Sequence, residues 1–374
     1  MRILHTSDWH LGKKFANFSL EKDFIEIIQQ IKNVISENRI DTIIVAGDIF
    51  DRTNPPKEAL QILNDFLYFV DKSDKNLILI AGNHDSGEYF ESLGVASKNR
   101  FLIRGKVSYH EKPIILEDKF GKIAFFGLPY ADLYETRECF KDNKIQNYKD
   151  ILEVQLNSAK KYISNHMRSV VVAHSFVGKD VLESKSERSI NVGGINYVPS
   201  SIFYDHDYVA LGHIHKSQSV DHKKIRYSGS PLAFGFDENE KKYMTIIEIN
   251  KKDEMTIEEI EFKPLRKVRQ IIGNLNDLLQ KSKSTDFIRA ILTDENYQID
   301  VMNKLREVYP NTVEIKYKKD EQNLESESIL RKINDELEPL EMCLNFIKFC
   351  TNIGGSQEEK KIIQEKINHI KKEM

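Results

Sequence analysis

The residues able to do chemistry fall in five short groups. Asp8 and His10 sit in "MRILHTSDWH", Asp48 and Asp51 in "TIIVAGDIFD", and Asn83, His84 and Asp85 in "LILIAGNHD". His174 follows in "SVVVAHS", and His213 and His215 in "DYVALGHIH". Five of the eleven histidines are thus placed beside aspartates and an asparagine, with no cysteine among them. Imidazole together with oxygen donors suits a divalent metal of intermediate hardness, such as manganese, iron or zinc, better than a thiolate site would. Asp8, His10, Asp48, Asn83, His174, His213 and His215 make seven candidate ligands, more than one ion needs if it keeps a water. Two ions are therefore expected, with Asp48 as the candidate bridging carboxylate. Two ions about 3.5 to 4 Å apart lower the pKa of a bridging water and brace both oxygens of an in-line phosphoryl displacement.

Each group also has an ordinary structural reading. A lone histidine at a strand end is more often a hydrogen-bonded structural residue, Asp48 could cap the next helix, and Gly47 or Gly82 could mark turns. The joint occurrence of all five groups favours the metal site. His5, inside the first strand, and His206, in "YDHDY", read as structural. His110, His166, His222 and His369 lie in polar segments and receive no role.

Every group ends a short apolar run, and helical patterns separate the first three. Phe24, Ile27, Ile28, Ile31, Val34 and Ile35 form one such pattern, and Leu60, Leu63, Phe66, Leu67 and Val70 the next. Apolar strands alternating with amphipathic helices predict an α/β layered fold buried on both faces. In such sheets ligand sites collect at the carboxyl ends of the strands, so the five polar endings should converge.

A chain of 374 residues, 40% hydrophobic, can bury a large core and has length for one large domain plus smaller ones. A net charge of −3 gives no global basic field, so contact with nucleic acid has to be local or shared with a partner. The three cysteines, Cys139, Cys343 and Cys350, form no disulfide framework and point to a reducing compartment. Cys343 and Cys350 lie on one helical pattern roughly 10 Å apart along its axis, too far to bridge, and read as buried apolar residues. No leader pattern and no run of about twenty apolar residues is present, so a cytoplasmic protein with no membrane contact is expected.

In order and spacing, "DWH", "GDIFD", "GNHD", the histidine after "VVVA", and "GHIH" resemble the calcineurin-like metallophosphoesterase superfamily over roughly residues 1 to 235. "HTSDWHLGKK", "AGDIFDRTNPP", "INVGGINYVPSSIF", "DYVALGHIHKSQSV" and "YSGSPLAFGF" resemble, more closely, the bacterial SbcD nuclease family, counterparts of the Mre-type subunit of double-strand-break repair complexes. The resemblance implies a four-layer β-sandwich flanked by helices. It further implies that Asp8, His10, Asp48 and His215 hold one ion and Asp48, Asn83, His174 and His213 the other, typically manganese. His84 would be the catalytic histidine that stabilises the phosphate or protonates the leaving oxygen, and Asp85 would orient it. Some relatives carry a further active-site histidine where this chain reads Asp51, Arg52 and Thr53, and Arg52 is assigned no role.

Past the first domain, residues 1–262, the pattern alternates again. "VRQIIGN", "FIRAILT" and "TVEIKYK" read as strands, with "LNDLLQK" and "YQIDVMNKLREVY" as helices between them, a small α/β module over residues 263–320. The resemblance makes it a capping domain over the active site. Residues 321–374 carry two helical patterns, the first through Ile329, Leu330, Ile333, Leu337, Leu340, Leu344, Ile347 and Cys350. The second starts at Ser356 with a capping box to Glu359. Such terminal helices usually pack on their own domain, whereas the resemblance implies docking on the coiled-coil base of an SbcC-type ATPase.

Lys13, Lys14, Lys179, Lys185, Arg188, Lys216, Lys223, Lys224 and Arg226 are candidates for contact with DNA, although scattered lysines are usually a solvated surface. Homodimerisation within a heterotetramer, through helices offering Leu60, Leu63, Phe66 and Leu67, also comes from the resemblance. The function expected is manganese-dependent DNA cleavage, 3′ to 5′ exonuclease on duplex ends and endonuclease on single strands and hairpins, gated by the ATPase. Two other readings stay open at this point. One is a phosphoesterase for small phosphodiesters or phosphoproteins, the other a non-enzymatic docking scaffold.

Overall fold

The computed structural model describes residues 1–97, 99–109, 112–164, 167–187, 197–238, 240–252, 254–320, 340–341, 343–344 and 356–373. Strand β1 (Arg2–Thr6) leads through a short hairpin, β2 (Lys14–Phe15) and β3 (Phe18–Ser19), into helix α1 (Glu21–Glu37). Then come β4 (Thr42–Ala46), α2 (Lys57–Lys72), β5 (Asn76–Ile80), α3 (Gly87–Val95) and β6 (Phe101–Arg104). A second series follows with β7 (Ile114–Asp118), β8 (Gly121–Leu128), α4 (Leu133–Phe140), α5 (Tyr148–Lys160), β9 (Arg168–His174) and β10 (Tyr208–Gly212). Strands β11 (Gln218–Val220), β12 (His222–Tyr227), β13 (Tyr243–Ile249) and β14 (Met255–Glu261) complete it.

These strands form two six-stranded sheets, ordered β14-β13-β1-β4-β5-β6 and β11-β12-β10-β9-β8-β7. In the first, β1, β4, β5 and β6 are parallel. In the second, β8, β9, β10 and β12 are parallel. Antiparallel strands close both edges of the second sheet and one edge of the first. The alternation of side chains along a strand explains the layering. Ile3, Ile44, Ala46, Ile78 and Ile80 from one sheet meet Ile123, Phe125, Val170, Val172, Tyr208 and Ala210 from the other in a shared core. Ala124, Phe126, Val171, Ala173 and Val209 point to the opposite face, where Leu152 and Leu156 of α5 cover them. The chain is a mixed α/β fold of two packed sheets with helices outside, as expected.

The expected dimer residues are only partly available. Leu63 and Phe66 are fully buried and serve the core of this chain, while Leu60 and Leu67 are half-buried. The period-3.6 face of α2 is thus spent on its own sheet.

The chain forms two compact units, residues 1–269 with 285–288, and residues 270–284 with 289–374. After β14 the chain builds a sheet in the order β15 (Val268–Gly273), β16 (Phe287–Leu292), β17 (Thr312–Tyr317), with α6 (Leu275–Leu279) and α7 (Val301–Val308). This is the order of elements read from the sequence. Leu278, Ile288, Ala290, Leu292 and Leu305 are fully buried. Helix α8 (Gln357–Glu373) opens with the predicted reciprocal cap: the Ser356 N–H donates to Glu359 Oε2 at 2.7 Å, and the Glu359 N–H donates to Ser356 Oγ at 3.2 Å. Most of the preceding helical pattern, including Cys350, lies outside the described residues. Cys343 is exposed and not buried as expected.

Candidate metal centre

Parallel strands deliver their carboxyl ends to one edge, and both sheets do so on the same side. Asp8 and His10 follow β1, Asp48 follows β4, and Asn83, His84 and Asp85 follow β5, while His174 ends β9 and His213 and His215 follow β10. The loops are stitched together by backbone: the Asp8 N–H donates to Gly47 O and the His10 N–H to Asp48 O, both at 3.0 Å. Asp8, His10, Asp48 and His213 all have positive φ, at 52°, 49°, 49° and 102°. Non-glycine residues rarely take such angles, and they cluster where a site imposes them.

Asp85 is the staple of the β4 and β5 loops. Its carboxylate accepts the N–H groups of Ile49, Phe50 and Gly82 at 3.1, 2.8 and 2.8 Å. It was expected to orient the His84 ring, but that ring is held by the carbonyl oxygen of Asp51, to which Nδ1 donates at 2.8 Å. Asp85 acts on His84 only through the backbone they share. Gly82 has to lack a Cβ, which would collide with the Asp48 carboxylate and amide.

Five of the seven predicted ligands converge, together with His84. Three groups of donor atoms lie within 4.8 Å of one another: Asp8, His10 and His215; His10, Asp48 and His84; and Asp8, Asp48 and His174. Asp48 Oδ2 is 3.4 Å from His174 Nε2, 3.7 Å from His10 Nε2 and 4.0 Å from His84 Nε2. Asn83 joins through Oδ1, 3.0 Å from His174 Nε2. His213 is in none of the three groups. Its N–H donates to Asp8 Oδ1 at 2.8 Å, and its ring stands edge-on to His174 with centroids 5.4 Å apart.

Hydrogen-bond directions test whether these residues suit cations. His174 Nδ1 faces Ala46 O at 2.9 Å and has to donate to it, so Nε2 is the electron-pair end of the neutral ring. That end meets Asn83 Oδ1 and Asp48 Oδ2, which are acceptors. On the other side His215 Nδ1 meets Ser186 Oγ at 2.7 Å, and its Nε2 faces His10 Nε2 at 3.1 Å. At His174 a bare ring nitrogen is turned toward acceptors, which calls for positive charge there and suits a cation; His10 and His215 bring a second pair of ring nitrogens together beside Asp8. Electrostatics tell the same story. Burial opposes a proton on His174, yet the Asp48 carboxylate beside it carries the ring up to about 9, as if a proton stood in for an ion. Burial also pushes Asp8 up to about 8, and drives His10 and His213 down, His213 to about 3. Burial opposes charge on Asp48 too, but His174, His10 and His84 hold it well below the ordinary carboxylate range.

Several neighbours escaped the sequence reading. Ser186, Glu187, Glu238 and Lys242 surround the back of His215, and Phe234 stands edge-on to His10 and His215 at 5.3 and 5.5 Å. Phe234 lies in "YSGSPLAFGF", but nothing in the spacing set it apart. Lys13, a candidate for DNA, is engaged with Asp51 at 2.6 Å. His5 and His206 are structural as read, bonded to Tyr208 Oη and Ser169 Oγ, each at 2.9 Å.

Residues 1–217 match the calcineurin-like phosphoesterase family, and residues 261–349 match the type 5 capsule protein repressor C-terminal domain. A Staphylococcus epidermidis protein, named as the SbcD component of nuclease SbcCD, is 32% identical over 83% of this chain and 84% of its own length. A protein of the same name from Staphylococcus saprophyticus is 31% identical over 84% of each. Among solved structures, a dimetal phosphatase from Danio rerio superposes with a TM-score of 0.40 at 11% identity, covering 69% of this chain and 95% of that one. The chain therefore belongs to the calcineurin-like phosphoesterases and, among them, to the SbcD family.

Proposed function

We propose that this chain is the nuclease subunit of an SbcC–SbcD type complex, hydrolysing DNA phosphodiesters with two divalent ions, manganese above others. The observation that carries the reading is the position of the Asp48 carboxylate, within 3.4 to 4.0 Å of ring nitrogens of His174, His10 and His84. Asp8, His10, Asp48 and His215 would hold one ion, and Asp48, Asn83, His174 and His213 the other. When bound, such a pair supplies an activated water and Lewis acidity at the phosphoryl oxygens. The chain itself does the rest. His84, whose Nδ1 hydrogen is committed to Asp51 O, would as the doubly protonated ring give its Nε2 proton to the leaving oxygen and end as the neutral ring. Asp85 fixes the loop that carries it.

The finer activities are part of the same proposal: 3′ to 5′ exonuclease on duplex DNA, endonuclease on single strands and hairpins, and dependence on ATP through the partner. They suit roles in repair, recombination and replication at the nucleoid in the cytoplasm. Residues 1–262 act as the nuclease domain, 263–320 as the cap and 321–374 as the partner-docking helices, in a homodimer within a heterotetramer. A near-neutral chain needs such help to neutralise DNA phosphates. The test is manganese-dependent cleavage of an end-labelled duplex and a hairpin by wild type and His84→Ser, with and without the partner ATPase. Cleavage lost in the variant while both ions stay bound supports the reading. DNA left intact by wild type with ions and partner present refutes it.

A further inference from the structure

His215 is gripped from behind by residues outside the ligand set. Its Nδ1 lies 2.7 Å from Ser186 Oγ and 3.2 Å from Glu238 Oε1. Ser186 in turn donates its hydroxyl hydrogen to Glu238 Oε1, so toward His215 it acts as the acceptor. Ser184 Oγ also donates to Glu238 Oε1, at 3.3 Å. The other carboxylate oxygen takes a bond from Lys242 Nζ at 2.6 Å, and the same ammonium donates to His215 O at 3.0 Å. Glu187 Oε1 accepts the His215 N–H at 2.7 Å. Ring, carbonyl and amide of one residue are thus each assigned a partner. The Glu238 side chain is fully buried and that of Lys242 is 7% exposed.

Burying an ion pair costs desolvation that its own attraction often fails to recover, so an ion pair placed behind a ligand calls for a purpose besides stability. Resting on the two-ion reading above, we propose that Ser186 and Glu238 are positioning residues for His215. The hydroxyl and carboxylate keep the ring hydrogen on Nδ1 and stop the ring turning, which leaves Nε2 aimed at the ion shared with Asp8 and His10. Lys242 neutralises Glu238 and anchors the His215 carbonyl. Partners of this kind behind a ligating histidine typically change metal affinity 10- to 100-fold.

The test measures Mn²⁺ affinity and stoichiometry of the full chain by calorimetry and by spin resonance of free Mn²⁺, with a thermal melt for each variant. Wild type is compared with Ser186→Ala, Ser186→Thr, Glu238→Gln and His215→Ala. The expected result is two ions in wild type, with one of them weakened about 10- to 100-fold in Ser186→Ala and Glu238→Gln. That ion should be the one lost in His215→Ala, and Ser186→Thr, which keeps the hydroxyl, should bind as wild type does. Cleavage by Ser186→Ala should recover at saturating Mn²⁺. If Glu238→Gln fails to fold, Ser186→Ala decides. Two ions bound as tightly by Ser186→Ala as by wild type would overturn the positioning role and leave the metal reading standing. No Mn²⁺ bound by wild type, or His215→Ala undiminished, would bring down the metal reading and this role with it.

Discussion

At the scale of single residues, the proposed roles separate groups that hold charge from His84, which would move a proton. His84→Ser is expected to lower cleavage on the order of 10² to 10⁴-fold with both ions retained, as measured by turnover and Mn²⁺ titration on one preparation. Asp48→Asn should behave differently. Its carboxylate sits between His10 and His174, so Mn²⁺ titration should show both ions weakened; a variant that loses only one ion would contradict the bridging role. The candidate ligands were legible because aspartate, histidine and asparagine at strand ends are residue types no apolar core requires. Ser186 and Glu238 were not legible. They are ordinary polar residues in polar stretches, and only the fold brings them to a ring 29 and 23 positions away.

At the scale of elements, the strands exist to aim loops, and the tolerances are tight. Gly82→Ala would drive a methyl into the Asp48 carboxylate and amide, costing about 1 to 3 kcal/mol by overpacking. A lower melting temperature together with lost Mn²⁺ binding is the expected outcome. Phe66 of α2 is fully buried and meets Trp9 edge-on at 5.0 Å, so Phe66→Ala should cost about 3 to 5 kcal/mol in urea unfolding. A variant with unchanged stability and altered self-association would restore α2 as a dimer face. Periodicity made α1, α2, the β15–β17 module and the α8 cap readable. It could not divide the strands between two sheets. "TIIVA" and "SVVVA" are buried on both faces, one run in each sheet, and such strands look alike in sequence. The pairing of two sheets into a sandwich came from family resemblance.

At the scale of the whole molecule, buried histidines away from the candidate metal centre set a response to acid. Burial holds His5 at about 3 and His206 at about 4, well below the ordinary 6.5 that the unfolded chain recovers. Below pH 6.5 the unfolded state therefore binds more protons. Stability is complete above that value and falls as pH drops toward 4, by roughly 2.7 kcal/mol per pH unit at most for the pair. His206→Gln should reduce the slope of urea-derived stability against pH by up to about 1.4 kcal/mol per pH unit, and an unchanged slope would refute the assignment. Length gave room for one large domain plus smaller ones and the alternating strand and helix patterns gave an α/β fold, but neither told which surfaces meet a partner. The left-handed backbone at Asp8, His10, Asp48 and His213 bears on how such a protein could change through descent. Few side chains tolerate that conformation, and among them asparagine and glycine can each be reached from aspartate by one base change. A lineage could therefore fall silent at Asp8 or Asp48 in a single step with its backbone undisturbed, and a relative carrying Asn or Gly there would keep the shape of this site after its chemistry had gone.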